Sequence, residues 1–191
     1  MLSYPVRCGR LSIIFFAAML MLATVGRAEE LRYTRFNIHA QVKSETVAKA
    51  SYANYTNPSH GHIIIPAGTK VVVKDKSRKK IVFGYAGDTK TILFDYHAPR
   101  MQMSVDEYLE KITSSTPVFW DHFSTLDKEG IAKGKVLPGM TREGVMTALG
   151  YPATHRTPSL EAATWIYWTN RFGTIGRFRF GWKGSSRSRL R

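Results

Sequence analysis

The closest pair of histidines in this 191-residue chain is His60-Gly61-His62. Imidazoles at that spacing in a loop chelate copper or zinc when a third ligand converges on them, and are ordinary polar turn residues when none does. No carboxylate stands beside the pair and an isoleucine run follows it, so the turn is the first reading and a His-based metal site the alternative. His39, His97, His122 and His155 are scattered. Hydrolytic chemistry has less to work with, since no Gly-x-Ser-x-Gly elbow occurs. Asp106, Glu107 and Glu110 share one predicted helix, where Glu107 has a capping task and the other two read as a solvated face. Asp127 and Glu129 read as a helix start or turn, and Gly130, Gly134 and Gly139 lack the Lys-Ser/Thr ending of a phosphate loop. The sequence therefore predicts no catalytic residue, no cofactor and no enzymatic activity.

Charge is the stronger signal. The chain carries 28 Lys plus Arg against 14 Asp plus Glu, a formal net charge of +14. Residues 74–80 place five cations and one acid in what reads as a hairpin tip. Such a run is either a solvated turn that discourages edge pairing or a contact for an anionic surface. Lys76, Arg78, Lys79 and Lys80 are the candidate contact residues by charge. A further basic stretch, residues 185–191, has three Arg and little to bury, which predicts a disordered tail.

The elements that position these groups begin after a leader. Arg7 and Arg10 precede the uncharged apolar run of residues 11–25, and Gly26-Arg27-Ala28 sets small residues before a cut. That is signal-peptide grammar, and the run is shorter than the roughly 20 residues a membrane span needs. Residues 1–28 are thus expected to be a cleaved signal peptide, with export to a bacterial periplasm. The single cysteine, Cys8, precedes the apolar run, so no lipid anchor is expected, and the mature chain is expected to have no thiol for a disulfide, a Cys-ligated metal or a Cys nucleophile. Nucleic acid is an unexpected target for an exported chain, which leaves lipid phosphates, lipopolysaccharide or an acidic protein face.

From Phe36, apolar Ile38, Ala40 and Val42 alternate with Asn37, His39, Gln41 and Lys43, the period of a half-buried strand. The isoleucines after His62, a Pro66-Ala67-Gly68 turn, a valine run, and alternating Ile81, Phe83, Tyr85 and Ile92, Phe94, Tyr96 around a Gly87-Asp88 turn add further strands. Residues 29–103 therefore read as a strand-rich region, either a small antiparallel sheet or an SH3-like barrel. Ser104 and Glu107 then form a capping box that opens a second unit over residues 104–184. Val118, Phe119, Trp120 and Phe123 read as core. Thr141 can cap a short helix with Val145, Met146 and Leu149 on one face, closed by Gly150 and Pro152. Trp165 to Trp168 and the alternating Phe178, Phe180 and Trp182 predict an aromatic hairpin. The class expected is α+β, with short helices packed on an antiparallel sheet after the strand-rich part.

Gly139-Met140-Thr141 with Val145, then Leu149-Gly150-Tyr151-Pro152, then Trp165-Ile166-Tyr167-Trp168, resembles the SmpA/OmlA family of small bacterial envelope proteins. The resemblance covers residues 134–182. It implies short helices on an antiparallel sheet and a scaffolding role, the best-known member being an accessory lipoprotein of the outer-membrane β-barrel assembly machine. The chain departs from the family in having no acylatable cysteine after the leader and a strand-rich region ahead of the shared part. The function expected is a non-enzymatic periplasmic interaction or scaffold protein whose partner is an envelope protein or an anionic envelope surface. Trp168 and Arg171 join the contact candidates because Trp and Arg dominate interface energetics, and at most one of Trp165 and Trp168 should face outward. The rival expectation is a cell-wall or small-ligand binding module built on the SH3-like part.

Overall fold

The computed structural model describes residues 30–85 and 89–180. The leader, the Gly87-Asp88 turn, Trp182 and the basic tail lie outside them. Seven strands come first: β1 (Glu30–Thr34), β2 (Ile38–Val42), β3 (Val47–Ser51), β4 (His62–Ile65), β5 (Lys70–Ser77), β6 (Lys80–Tyr85) and β7 (Thr91–Asp95). A one-turn helix α1 (Ala98–Met101), α2 (Val105–Ile112) and the two-residue β8 (Thr113–Ser114) follow. Then come α3 (Thr125–Lys133), α4 (Arg142–Leu149) and the hairpin β9 (Thr164–Trp168) and β10 (Ile175–Arg179). The class is α+β, with a strand-rich N-terminal part.

The first eight strands form one sheet in the order β4-β2-β3-β7-β6-β5-β1-β8. Four strands separate β1 from β2 in that order, which in a flat sheet would put them about 24 Å apart at about 4.8 Å per strand. Only residues 35–37 join them, and four Cα steps reach at most about 14 Å. The sheet must therefore roll, and the β4–β5 turn stitches the roll shut. Gly68 N–H donates to Thr34 O (2.6 Å), Thr34 N–H to Thr69 O (3.0 Å) and the Thr34 hydroxyl to Pro66 O (2.8 Å). The sheet is mixed, because β3 pairs with β7 in parallel. Residues 52–90 supply the long crossover that a parallel pair requires.

Parity along the strands sorts the faces. Ile38, Ala40, Ala48, Ala50, Ile81, Phe83, Ile92 and Phe94 are buried on the concave side. Three of these are alanines, which leave room for a large plug, and α2 provides it. Ser104 and Glu107 form the predicted capping box, and Tyr108, Leu109 and Ile112 fill the roll. The Tyr108 ring lies 4.9 Å from Tyr96 and 5.8 Å from Phe94. Helix α2 thus packs with the strands before it rather than with the helices after it, and β8 extends the sheet beside β1.

Residues 125–179 form a second cluster around Met140, Val145, Leu149, Trp165, Tyr167 and Phe178. Asp127, 1% exposed, joins its two helix starts. One of its oxygens accepts from the Ser124 hydroxyl (2.8 Å) and the other from Thr141 N–H (2.8 Å), so the residues capping α3 and α4 share a carboxylate. Gly144 faces that carboxylate so closely that a Cβ there would strike it. The Phe119 side chain, expected in a core, is 73% exposed, whereas Phe123 is buried and Trp120 stacks on it at 5.7 Å.

The two clusters are joined by polar groups. Asn37 donates from Nδ2 to Ile131 O (2.7 Å) and Ala148 O (3.2 Å) and accepts from Ala67 N–H (2.8 Å). Its own N–H donates to Thr147 O (2.8 Å). These are carbonyls of the last helical turns, which the helical ladder leaves open, with Ile131 O also accepting from the capping Gly134 N–H (3.0 Å). Asn54 makes a similar bond to Tyr151 O (2.7 Å).

Candidate functional site

His39, Ser51 and Asp95 lie on adjacent strands β2, β3 and β7, residue types that could make a nucleophile, base and orienting acid. Their hydrogen bonds go elsewhere. His39 Nε2 lies 2.9 Å from Ala148 O, which can only accept, so Nε2 carries the proton. His39 Nδ1 then accepts from His62 Nε2–H at 3.0 Å, with the rings stacked 5.2 Å apart. The Ser51 hydroxyl accepts from Ala53 N–H (3.1 Å). Burial holds His39 down to about 4 despite the Ala148 bond, and burial followed by the charge of Lys135 lowers His62. His39 was expected on a wet face, but it is 2% exposed because α4 ends against this side of β2.

The His60-Gly61-His62 pair divides. His62 turns to His39 while His60 lines a cleft, and Gly61 between them sits at φ +71°, a backbone region that glycine enters freely. Among the described residues no group of three or more His, Cys, Asp or Glu could hold a metal ion.

The cleft lies over β2, β3 and β7, with a volume of about 480 Å³. Gln41, Lys43, Lys49, Ser51 and Asp95 line it from the strands, Tyr55, Pro58, Ser59 and His60 from the loop after β3, and Asn170, Arg171 and Phe172 from the β9–β10 turn. Its walls are tied down. Gln41 Nε2 donates to His60 O (2.9 Å) and Pro58 O (3.3 Å), while Thr56 N–H and Asn57 N–H donate to Trp168 O (3.1 Å) and Thr169 O (2.8 Å). Lys43 Nζ donates to Gln41 Oε1 (2.5 Å). Phe172 is 78% exposed, with the Arg171 guanidinium 4.9 Å over its ring. Burial and then the nearby Tyr52 raise the Tyr55 phenol.

The charge candidates behave differently from one another. Lys76 pairs with Asp106 (2.5 Å) and Lys80 with Asp75 (3.9 Å), which partly neutralises them. Arg78 and Lys79 form the exposed turn between β5 and β6. Arg171 lines the cleft. Trp168 sits half-buried beside it on a separate strip of rings and cations, stacked on His155 (5.1 Å) with the Arg156 guanidinium 5.8 Å from its ring. Arg100 continues the strip, donating from Nη1 to the Tyr52 hydroxyl (2.7 Å) and from its carbonyl side accepting His155 N–H (3.0 Å). Burial, then the charges of Arg100 and Arg156, lower His155, whose Nδ1 is buried without a partner. Trp165 is 1% exposed, so of the two tryptophans only Trp168 reaches the surface.

Sequence reading missed Lys43, Lys49, Tyr55, Asp95 and Phe172. Strand parity does set Lys43 opposite the side of buried Ala40 and half-buried Val42, but the convergence with a turn more than a hundred residues later is tertiary. No helix among the described residues is long and apolar enough to cross a membrane. Comparison with protein-family models, with curated proteins and with solved structures finds no match to this chain.

Proposed function

We propose that this chain is a non-enzymatic interaction protein of the bacterial cell envelope, exported by its leader, that presents an aromatic and cationic surface to an envelope protein. The observation that carries this reading is the strip on which Trp168, His155, Arg156, Arg100, Tyr52 and His97 lie side by side. Trp, Tyr and Arg are the side chains that supply most interface energy, because they bury large rigid surfaces and still hydrogen-bond at the rim. Backbone bonds from β9 and residue 155 fix them in place, so little order is lost on binding. The SmpA/OmlA resemblance of residues 134–182, which hold α4 and the β9–β10 hairpin, adds a scaffolding role to this reading.

Crosslinking in intact envelopes tests it. The expected result is a specific envelope protein recovered with the unaltered chain and reduced at least tenfold with Trp168→Ala, while circular dichroism stays unchanged. Recovery that is indifferent to Trp168→Ala and to Arg156→Ala would remove this surface from the reading, and turnover of a substrate would remove the reading itself. A second reading, a small-ligand binding module, is favoured by the anchored cleft over β2, β3 and β7.

A further inference from the structure

Resting on the small-ligand reading, we infer that the cleft binds short free-ended peptides in which carboxylates outnumber the ammonium group. The charges in the cleft are Lys43, Lys49 and Arg171 against Asp95. Ser51 stands opposite Asp95 in the parallel pair and Lys49 opposite Leu93, so Lys49 and Asp95 are diagonal neighbours on one face. Among the described residues they make no ion pair with each other or with any other side chain. Opposite charges that share a cleft without joining leave both poles available to a ligand carrying the reverse pattern.

A bare anion fits poorly. Asp95 repels it, and a volume of about 480 Å³ falls within the roughly 300–1,000 Å³ of small-molecule sites, far more than one oxyanion fills. A peptide uses the remaining groups. Its carboxylates meet Lys43, Lys49 and Arg171, its ammonium meets Asp95, and its amides reach Ser51 and Asn170. Tyr55 and Phe172 supply apolar wall for side chains. Three cations with one acid leave the cleft net positive, which suits a ligand whose two carboxylates outnumber its one ammonium. The walls are already in place through the Gln41, Thr56 and Asn57 bonds, which lowers the ordering cost of binding.

Calorimetric titration with Ala-Ala-Glu, its N-acetyl form, Ala-Ala-Gln and inorganic phosphate tests the assignment. Ala-Ala-Glu is expected to bind about tenfold or more tightly than the other three, the value of one charge-assisted hydrogen bond. Asp95→Asn should abolish the difference between Ala-Ala-Glu and its acetylated form. Lys49→Gln should weaken Ala-Ala-Glu about tenfold while preserving the loss on acetylation, with both variants folded by circular dichroism. Phosphate binding as tightly as the tripeptide, or acetylation without effect on the unaltered protein, overturns the peptide assignment while leaving a small-ligand site. No heat, and no amide shift at Lys49, Ser51 or Asp95 by NMR with any of the four probes, overturns the assignment and the small-ligand reading together. Loss of crosslinking with Trp168→Ala is read on a different surface and bears on neither.

Discussion

In the rolled sheet, Phe83 meets Phe94 edge to face at 6.2 Å and Tyr108 closes over them, all three essentially inaccessible to solvent. In the helix–hairpin region the counterpart at the same depth is a carboxylate, Asp127, that binds two helix starts. The first region is sealed by apolar shape, and its buried guanidinium, Arg32, sits at its rim between Glu30 and Glu110. The second is organised by hydrogen bonds, and the end of α4 is completed from outside by Asn37 and His39 of the first. A region whose helix end is satisfied by its neighbour cannot move independently of it. This bears on the cleft, because its strands belong to the first region and Arg171 and Phe172 to the second.

The comparison breaks most visibly if the apolar seal is opened. Phe94→Ala is expected to cost about 3–5 kcal/mol, as large-to-small changes in well-packed cores do, measured as a shift in the urea midpoint at constant slope. Both regions should unfold in that one shifted transition; a helix–hairpin signal that kept its original midpoint would show the two to be independent. The next effect acts on the seam. Asn37→Ala strands the N–H of Ala67 and takes one donor from the carbonyls of Ile131 and Ala148, which keep Gly134 N–H and His39 Nε2–H, and is expected to cost about 1–3 kcal/mol, the value of one stranded group. Hydrogen exchange distinguishes the seam from the seal: amides of α4 should lose protection first while those of β6 keep theirs. Uniform loss across both would place Asn37 in the core of the sheet instead.

How far these regions could be read from sequence follows from how local their causes are. The alternation through Ile38 and Ala40, the Ser104 capping box, the Thr141 cap and the β9–β10 pairing of Trp165 with Phe178 all stand where periodicity and cap chemistry place them. Strand β3 was missed, because Val47-Ala48-Lys49-Ala50-Ser51 has little β-branched or aromatic character and is held by β2 on one side and β7 on the other. Helix α2 could not be assigned to the roll from its own face, since an amphipathic stripe does not say which cavity it fills. His39 was read by parity as wet, and only the arrival of α4 buries it. The cleft was illegible for the same reason: Lys43, Lys49 and Asp95 are unremarkable strand charges until the roll and the hairpin tip bring Arg171 and Phe172 over them.

The smallest effect isolates the seam by pH. Folded His39 takes up a proton only at about 4, whereas an unfolded histidine does so near 6.5. Between those values the unfolded chain holds the extra proton, so this contribution to stability is fully present above pH 6.5 and is lost as pH falls toward 4, by at most about 1.4 kcal/mol per pH unit. His62 is also held low and acts in the same direction. Chemistry explains the sign, because protonated His39 would turn an N–H toward the N–H that His62 donates, with Lys135 adding positive charge nearby. The carboxylates held low, Glu110 by Arg32 and Glu107 by the Ser104 backbone, titrate below the ordinary carboxylate value of 4.5, so the interval from pH 6.5 to 5 reports the histidines. Urea midpoints should fall across that interval in the unaltered protein and fall less steeply in His39→Gln, whose amide can still donate to Ala148 O, because His62 and His155, also held low, keep their share. The α4 amides should open ahead of the sheet as the pH drops. A slope in His39→Gln as steep as that of the unaltered protein would move the acid-sensitive group away from His39 and leave the seam to Asn37, Asn54 and the loop after β3.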